Sequence, residues 1–270
     1  MKRKAFLLLG WFLASHATAD IPWAATQRLE DLTGLEMPPG WQKAAPWKSN
    51  YLVRATELPE FYDWRWYAHG LTPVKRQRAG DCWAQGTVGV LESLVKIELD
   101  KAEDLSVQQV ISCSGSGTAA RGGTFAHQYH VRKGAVTTAE YPYVARDTWC
   151  KSGLNPTYRL KRWGYVGNEN SRPTVTQLKQ AIMEHGPIAV TIYANSALQN
   201  FQGSGVFKGC GNGQTNHIEV IVGWDDTEAG GGVWFVRNSW GESHGDKGYA
   251  KIPFGCSRVG ETATWADLEF

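Results

Sequence analysis

Apolar positions recur with helical spacing between residues 82 and 99, at Trp83, Val90, Leu91, Leu94, Val95 and Leu99, and Asp81 stands where an N-cap belongs. The pattern predicts a long helix there, a short one after Ser106, and a third from about 124 to 133 that Gly134 ends. Beyond Tyr165 the texture changes. Residues 176–184 read as a helix stopped by Gly186-Pro187. Apolar runs at 188–193, 217–224, 232–238 and 249–253 then read as strands, punctuated by Asp225-Asp226 and the glycines at 230–232. The chain is helical first and strand-rich later, an α+β pattern. Residues 20–57 are rich in Pro, Trp and Ala. They have a short amphipathic stretch around 26–35 and a breaker at Pro38-Pro39-Gly40, and do not read as a compact unit.

The N-terminus changes the expected compartment. Lys2, Arg3 and Lys4 precede an apolar stretch over 6–14 and then Ala17-Thr18-Ala19, which reads as a secretory signal over 1–19. The apolar run is too short to span a membrane, which takes about 20 residues. The mature chain is therefore expected to be soluble and secreted or periplasmic, and the compact signal has a bacterial look. Losing those three basic residues turns the formal +2 into −1, too balanced for a nucleic-acid binder. With 42% hydrophobic and 20% charged residues, the 270-residue chain can bury a sizeable core, which excludes a disordered chain, a fibre or a disulfide-dense miniprotein. Five cysteines in an oxidising compartment imply two disulfides and one thiol, in any of fifteen arrangements.

Candidate chemistry begins at Cys82. A cysteine in the first turn of a helix feels the positive end of the helix dipole, which favours thiolate. Such a nucleophile needs a histidine and a group that orients it. His217 opens a predicted strand, and Asn238 closes another, directly before Ser239-Trp240-Gly241. His127 and His130, at i and i+3, could suit a metal, but no third ligand is evident and they read as solvated surface residues. No cofactor motif is present, so neither a metal nor a cofactor is expected.

From Leu58 to the C-terminus the chain resembles the papain family of cysteine peptidases. The resemblance is carried by Asp63-Trp64-Arg65, the stretch Thr72 to Gln77, Gly80-Asp81-Cys82-Trp83-Ala84, Leu105-Ser106, Gly122-Gly123, Tyr141-Pro142-Tyr143, Asn216-His217 and Asn238-Ser239-Trp240-Gly241, in family order. It implies a two-lobed fold over 58–270: a helical left lobe (about 75–160), an antiparallel β-barrel-like right lobe (about 161–255), terminal segments that cross between the lobes, and an active-site cleft between them. Cys82 would be the nucleophile, His217 its base, Asn238 the residue holding the imidazole, and Trp240 its shield. Gln77 would donate to the oxyanion, and Gly122 and Gly123 would pair with an extended substrate. The resemblance also selects disulfides Cys113–Cys150 and Cys210–Cys256. Residues 20–57 become a short prosegment or N-terminal extension. Expected partners are a peptide or protein substrate and a cystatin-like inhibitor, with no nucleic acid, on a monomer.

The departures from the family pattern matter too. One family disulfide is missing as a pair, and the turn from Gln77 to Cys82 is one residue short. Asp81 is expected to cap the helix, worth about 1 kcal/mol, while its charge opposes the thiolate and reduces reactivity. His244 replaces a tryptophan of the leaving-group side. Glu261 stands at the offset where the cathepsin B branch carries an acidic pocket floor, which would admit Arg at P2; otherwise it is a solvated C-terminal acid. The spacing from Gly123 to Cys150 leaves no room for an occluding insertion, which favours endopeptidase action. Two rivals remain: a peptidase-like binding module with weak or no catalysis, and a Cys/His amidase acting on cell-wall peptide.

Overall fold

The computed structural model describes residues 23–37, 48–49, 58–167 and 172–270. The expected signal over 1–19 and most of 38–57 lie outside these.

After two single-turn helices, α1 (Leu29–Leu32) and α2 (Trp64–Tyr67), helix α3 (Cys82–Leu99) is the axis of the molecule, with every residue from Cys82 to Val95 buried. Two glycines in a helix cost about 1 kcal/mol each against alanine. Here they permit close packing: a Cβ at Gly86 would meet Ile218 at 2.5 Å, and one at Gly89 would meet Val220 at 3.4 Å. The helix ends where Asp100 turns left-handed and donates its N–H to Lys96 O. Helix α4 (Val107–Cys113) is capped by the Ser106 hydroxyl, which accepts from Gln109 N. Helix α5 (His127–Lys133) starts three residues later than the sequence pattern suggests and stops at Gly134, φ 71°. Helix α6 (Val175–His185) opens on a capping box between Thr174 and Gln177.

The strand-rich half is one sheet. β5 (Leu160–Val166), β10 (Ala263–Leu268), β6 (Ile188–Ile192), β7 (His217–Asp225), β8 (Val233–Arg237) and β9 (Tyr249–Pro253) lie side by side in that order, all antiparallel. β1 (Lys48–Ser49) adds in parallel to β5, and β2 (Phe61–Asp63) pairs with β7. The papain-like α+β architecture is as expected. Among the described residues the sheet is an open path rather than a closed ring, in keeping with a barrel-like wall. Past residue 255 the C-terminal segment crosses back into this sheet, where β10 lies between β5 and β6. β7 divides the core: Ile218, Val220 and Val222 join the apolar cluster around α3, while Ile221 and Trp224 join the cluster with Trp234, Trp240 and Trp265. The two disulfides are Cys113–Cys150 and Cys210–Cys256, leaving Cys82 as the free cysteine.

Candidate active site

Cys82 begins α3 and its neighbours come from the sheet, since the backbone of Ile218, the residue after His217, bonds its sulfur. The thiol is fully buried. Burial pushes it up to about 12, and the nearby Asp81 carboxylate adds to that against the backbone groups of Ile218, Gly34 and Trp83. Asp81 does not cap the helix. Its Oδ2 accepts from Tyr143 Oη at 2.6 Å instead, and burial pushes its carboxyl up to about 7.

His217 opens β7 and its Nε2 lies 3.0 Å from Asn238 Oδ1. Trp240 covers the imidazole, ring centroids 4.8 Å apart. Burial pushes the imidazole down to about 4, with the Asn238 bond opposing and His244 adding. His244 is buried as well, its Nε2 2.7 Å from Leu198 O and its ring edge-on to Trp240.

Gln77 is tied to the strand wall: its N–H donates to Ser239 O at 2.8 Å, and its Oε1 accepts from Ser239 Oγ at 2.5 Å. Its Nε2 donates to two carbonyls, Ala79 O at 2.8 Å and Leu32 O at 3.1 Å. Leu32 O also accepts from Trp240 Nε1 at 3.2 Å. Gly122 and Gly123 form β4, paired with β3 (Gly117–Thr118), and the outer side of Gly123 takes up the chain's own Leu35 in a parallel bridge. Gly123 N donates to Gly34 O and Glu36 N to Gly123 O, both at 2.7 Å, and Gly34 N and Leu35 N both donate to Asn216 O at 3.1 Å. The fit is tight enough to require glycine: a Cβ on Gly34 would stand 2.0 Å from Gly80 O, and one on Gly122, at φ 90°, 2.2 Å from Gly34 O.

Residues 23–37 thus run through the cleft, past Gln77 and Trp240 to Gly123. Upstream, Gln199 Nε2 donates to Ala24 O at 2.7 Å, and Arg76 stacks over Trp23. The sequence did not mark Leu32, Gly34 or Leu35, because their contacts here are made by backbone atoms. Glu261 is neither free nor in this group, as it accepts from Arg258 Nη2 at 2.5 Å and Arg172 Nη2 at 2.7 Å. His127 and His130, read as solvated, are fully buried: α5 packs against β5, and His127 Nε2 lies 3.0 Å from Thr264 Oγ1 of β10. Among the described residues no group of three His, Cys, Asp or Glu could hold a metal, and no helix is long and apolar enough to cross a membrane.

A family model described as papain family cysteine protease matches residues 58–264. Cathepsin K of Mus musculus is 35% identical over 239 residues, covering 83% of this chain and 68% of that protein. Ananain of Ananas comosus is 34% identical over 226 residues, covering 82% and 63%. The chain spans about two thirds of the length of these curated relatives. Among solved structures, the digestive procathepsin L2 proteinase of Tenebrio molitor larval midgut superposes with a TM-score of 0.78 at 26% identity, covering 90% of this chain and 81% of that one. The bromelain protease of Ananas comosus in complex with E64 gives 0.68 at 29%, covering 78% and 100%.

Proposed function

The chain belongs to the papain family of cysteine proteases, and from that membership we propose that it is an exported endopeptidase held shut by its own residues 23–37. The observation that carries the reading is the Leu32 carbonyl, a peptide carbonyl bound by the side-chain amide of Gln77; Leu32 lies two residues before Gly34, whose backbone bonds the buried Cys82 sulfur.

In the open enzyme Cys82 would pass its proton to His217, and the thiolate would attack a substrate carbonyl. Gln77 Nε2 and the Cys82 N–H would stabilise the oxyanion. His217 would return the proton to the leaving amine, and water would then release the acyl group. Asn238 would fix the imidazole through the 3.0 Å contact, and Gly123 would pair with the substrate backbone.

The bound segment runs the other way. A substrate would place its acyl side on Gly123 and its leaving-group side toward Trp240. Here the earlier residue, Leu32, lies at Trp240 and the later one, Leu35, at Gly123, in parallel pairing. A reversed strand fills the donors without presenting a scissile carbonyl in the productive direction. It also strips water from Cys82 and His217 and holds both in their uncharged forms. We assign residues 20–57 as the inhibitory segment on this ground, and expect a monomer open to cystatin-like inhibitors once it leaves. With Glu261 paired to Arg258 and Arg172, acceptance of Arg at P2 depends on those pairs opening.

The test keeps the full chain. In Gly34→Val the new side chain collides with Gly80 O, so the segment should leave the cleft. An epoxysuccinyl inhibitor should label Cys82 in that variant and much more slowly in the wild type. A thiol whose pKa falls from about 12 toward the ordinary ~8.5 gains roughly 10³-fold in thiolate at neutral pH. The variant should also cleave fluorogenic Phe-Arg dipeptides, and Arg-Arg dipeptides in a manner sensitive to Glu261→Gln. A variant that neither takes the label nor turns over substrate overturns the peptidase reading; a wild type labelled as fast as the variant overturns the inhibitory one.

A further inference from the structure

β7 carries a charge where its neighbours are apolar. Glu219 sits between Ile218 and Val220, two residues after His217. Strand alternation puts it on the same face as the imidazole, while Ile218 and Val220 pack on Gly86 and Gly89 of α3. The carboxyl is 2% exposed. Its Oε1 lies 3.7 Å from His217 Nε2, and its Oε2 has no hydrogen-bond partner. A buried carboxyl without a partner is costly, and a valine would fill such a position without that cost.

The other charged groups nearby pair mainly with one another, although Arg237 Nη1 is buried without a hydrogen-bond partner. A cavity of about 20 Å³ between α3 and the β7–β8 pair is lined by Lys75, Glu92, Arg237 and Glu219 among others. Within it Glu92 takes Lys75 at 2.9 Å and Arg237 at 3.8 Å, and also accepts from Leu105 N at 2.7 Å. On the α3 side the titratable groups are Cys82 and, one residue before the helix, Asp81, which is bonded to Tyr143; from the segment after β8 it is His244, which acts on His217 and is held by Leu198 O. Among the described residues, the group within ion-pair distance of the Glu219 carboxyl is His217.

We propose that Glu219 is a positioning residue for His217, a buried carboxyl at ion-pair distance from the Nε2 that Asn238 bonds, whose charge holds the imidazolium and, through it, the Cys82 thiolate. The inference rests on the peptidase reading above. The two groups titrate together. While His217 is neutral, burial pushes Glu219 up to about 8, so it keeps its proton. When Cys82 protonates His217, the cation 3.7 Å away favours the carboxylate, whose proton passes to solvent. An opposite charge at this range moves a pKa by about 1–3 units.

The experiment uses the full chain carrying Gly34→Val and compares Glu219 with Glu219→Gln and Glu219→Val. NMR titration follows the His217 ring, and a pH series follows Cys82 alkylation by iodoacetamide. Both substitutions should lower the His217 pKa by about one unit or more and draw the alkaline limb of alkylation down with it. The valine variant should melt no lower than its parent, a result that a purely structural carboxyl would not give. It also decides the matter if the glutamine variant does not fold. A His217 pKa that stays in place in the folded variants overturns the proposal. If His217 shifts but the parent cleaves no dipeptide, the pairing stands and the peptidase reading falls.

Discussion

The cleft and the α5 region each contain a pair of buried histidines, and the contrast shows how far burial alone goes toward the role proposed for His217. His217 and His244 on one side, His127 and His130 on the other, are all fully buried. Burial lowers all four pKa values: to about 4 for His217, about 3 for His127 and about 4 for His130, with His244 also below its ordinary value. A shifted pKa therefore does not separate them. Three contacts do. His217 has an amide oxygen on Nε2 and leaves Nδ1 without a hydrogen-bond partner on a ring that shares the cleft with Cys82; it also has a carboxyl 3.7 Å off and a cover that is a separate strand of chain. His127 has a threonine hydroxyl, and His130 has no partner on either nitrogen. The cover over α5 is the sheet itself.

The largest expected effect tests that contrast directly. In the Gly34→Val chain, His217→Ala should lower kcat for a dipeptide substrate by about 10²–10⁴-fold, the range for losing a general acid–base group. His130→Leu should leave kcat within about twofold, since no hydrogen bond is lost with the ring. Equal losses from the two substitutions would erase the distinction.

Acidification sharpens it next. The folded pKa values of His127 and His130, about 3 and about 4, lie below the unfolded value near 6.5. The unfolded chain therefore binds more protons as pH falls below 6.5, and stability drains away down to about pH 4. His130→Leu removes its share, roughly 3 kcal/mol at pH 4 for a pKa that falls from near 6.5 to about 4. Denaturant melts of the full chain at pH 7 and pH 4 should show the variant losing less between the two. Parallel losses would mean that His130 is protonated in the native state.

Legibility divides along the same line between local and distant causes. α3 and β7 declare themselves through periodicity, and Cys82, His217 and Asn238 through residue type and order along the chain. β5 and β10 do not. Leu160–Val166 mixes Lys161 and Arg162 into its run, and Ala263–Leu268 is short; each becomes a strand by pairing with the other across about a hundred residues. The burial of His127 is of the same kind, decided by Thr264 of β10 and the packing of α5 on β5. The cleft-filling segment escaped for a different reason: Gly34, Leu35 and Glu36 bind through N–H and C=O groups that every residue owns. Glu219 was in plain view as a lone acid in an apolar strand, and its alternation with His217 is a signal that local reading could have used.

Asp81 joins both kinds of cause and gives the smallest effect. Local reading makes it a cap; Tyr143, 62 residues away, draws its carboxylate off instead. It therefore gives the helix no N-cap bond, yet still opposes the Cys82 thiolate whenever it is ionised. Because burial pushes its carboxyl up to about 7, that opposition exists mainly above neutrality. In the Gly34→Val chain, Asp81→Asn should thus speed Cys82 alkylation by a few-fold at pH 8, with the gain vanishing toward pH 5, where Asp81 already carries its proton. Linkage gives the companion sign. A carboxyl raised from about 4 in the unfolded chain to about 7 in the folded one costs stability as pH climbs through that window. Asp81→Asn should then flatten the fall in stability between pH 4 and 7. An alkylation gain that is the same at pH 5 and pH 8 would place the effect in helix geometry, and the charge argument would fail.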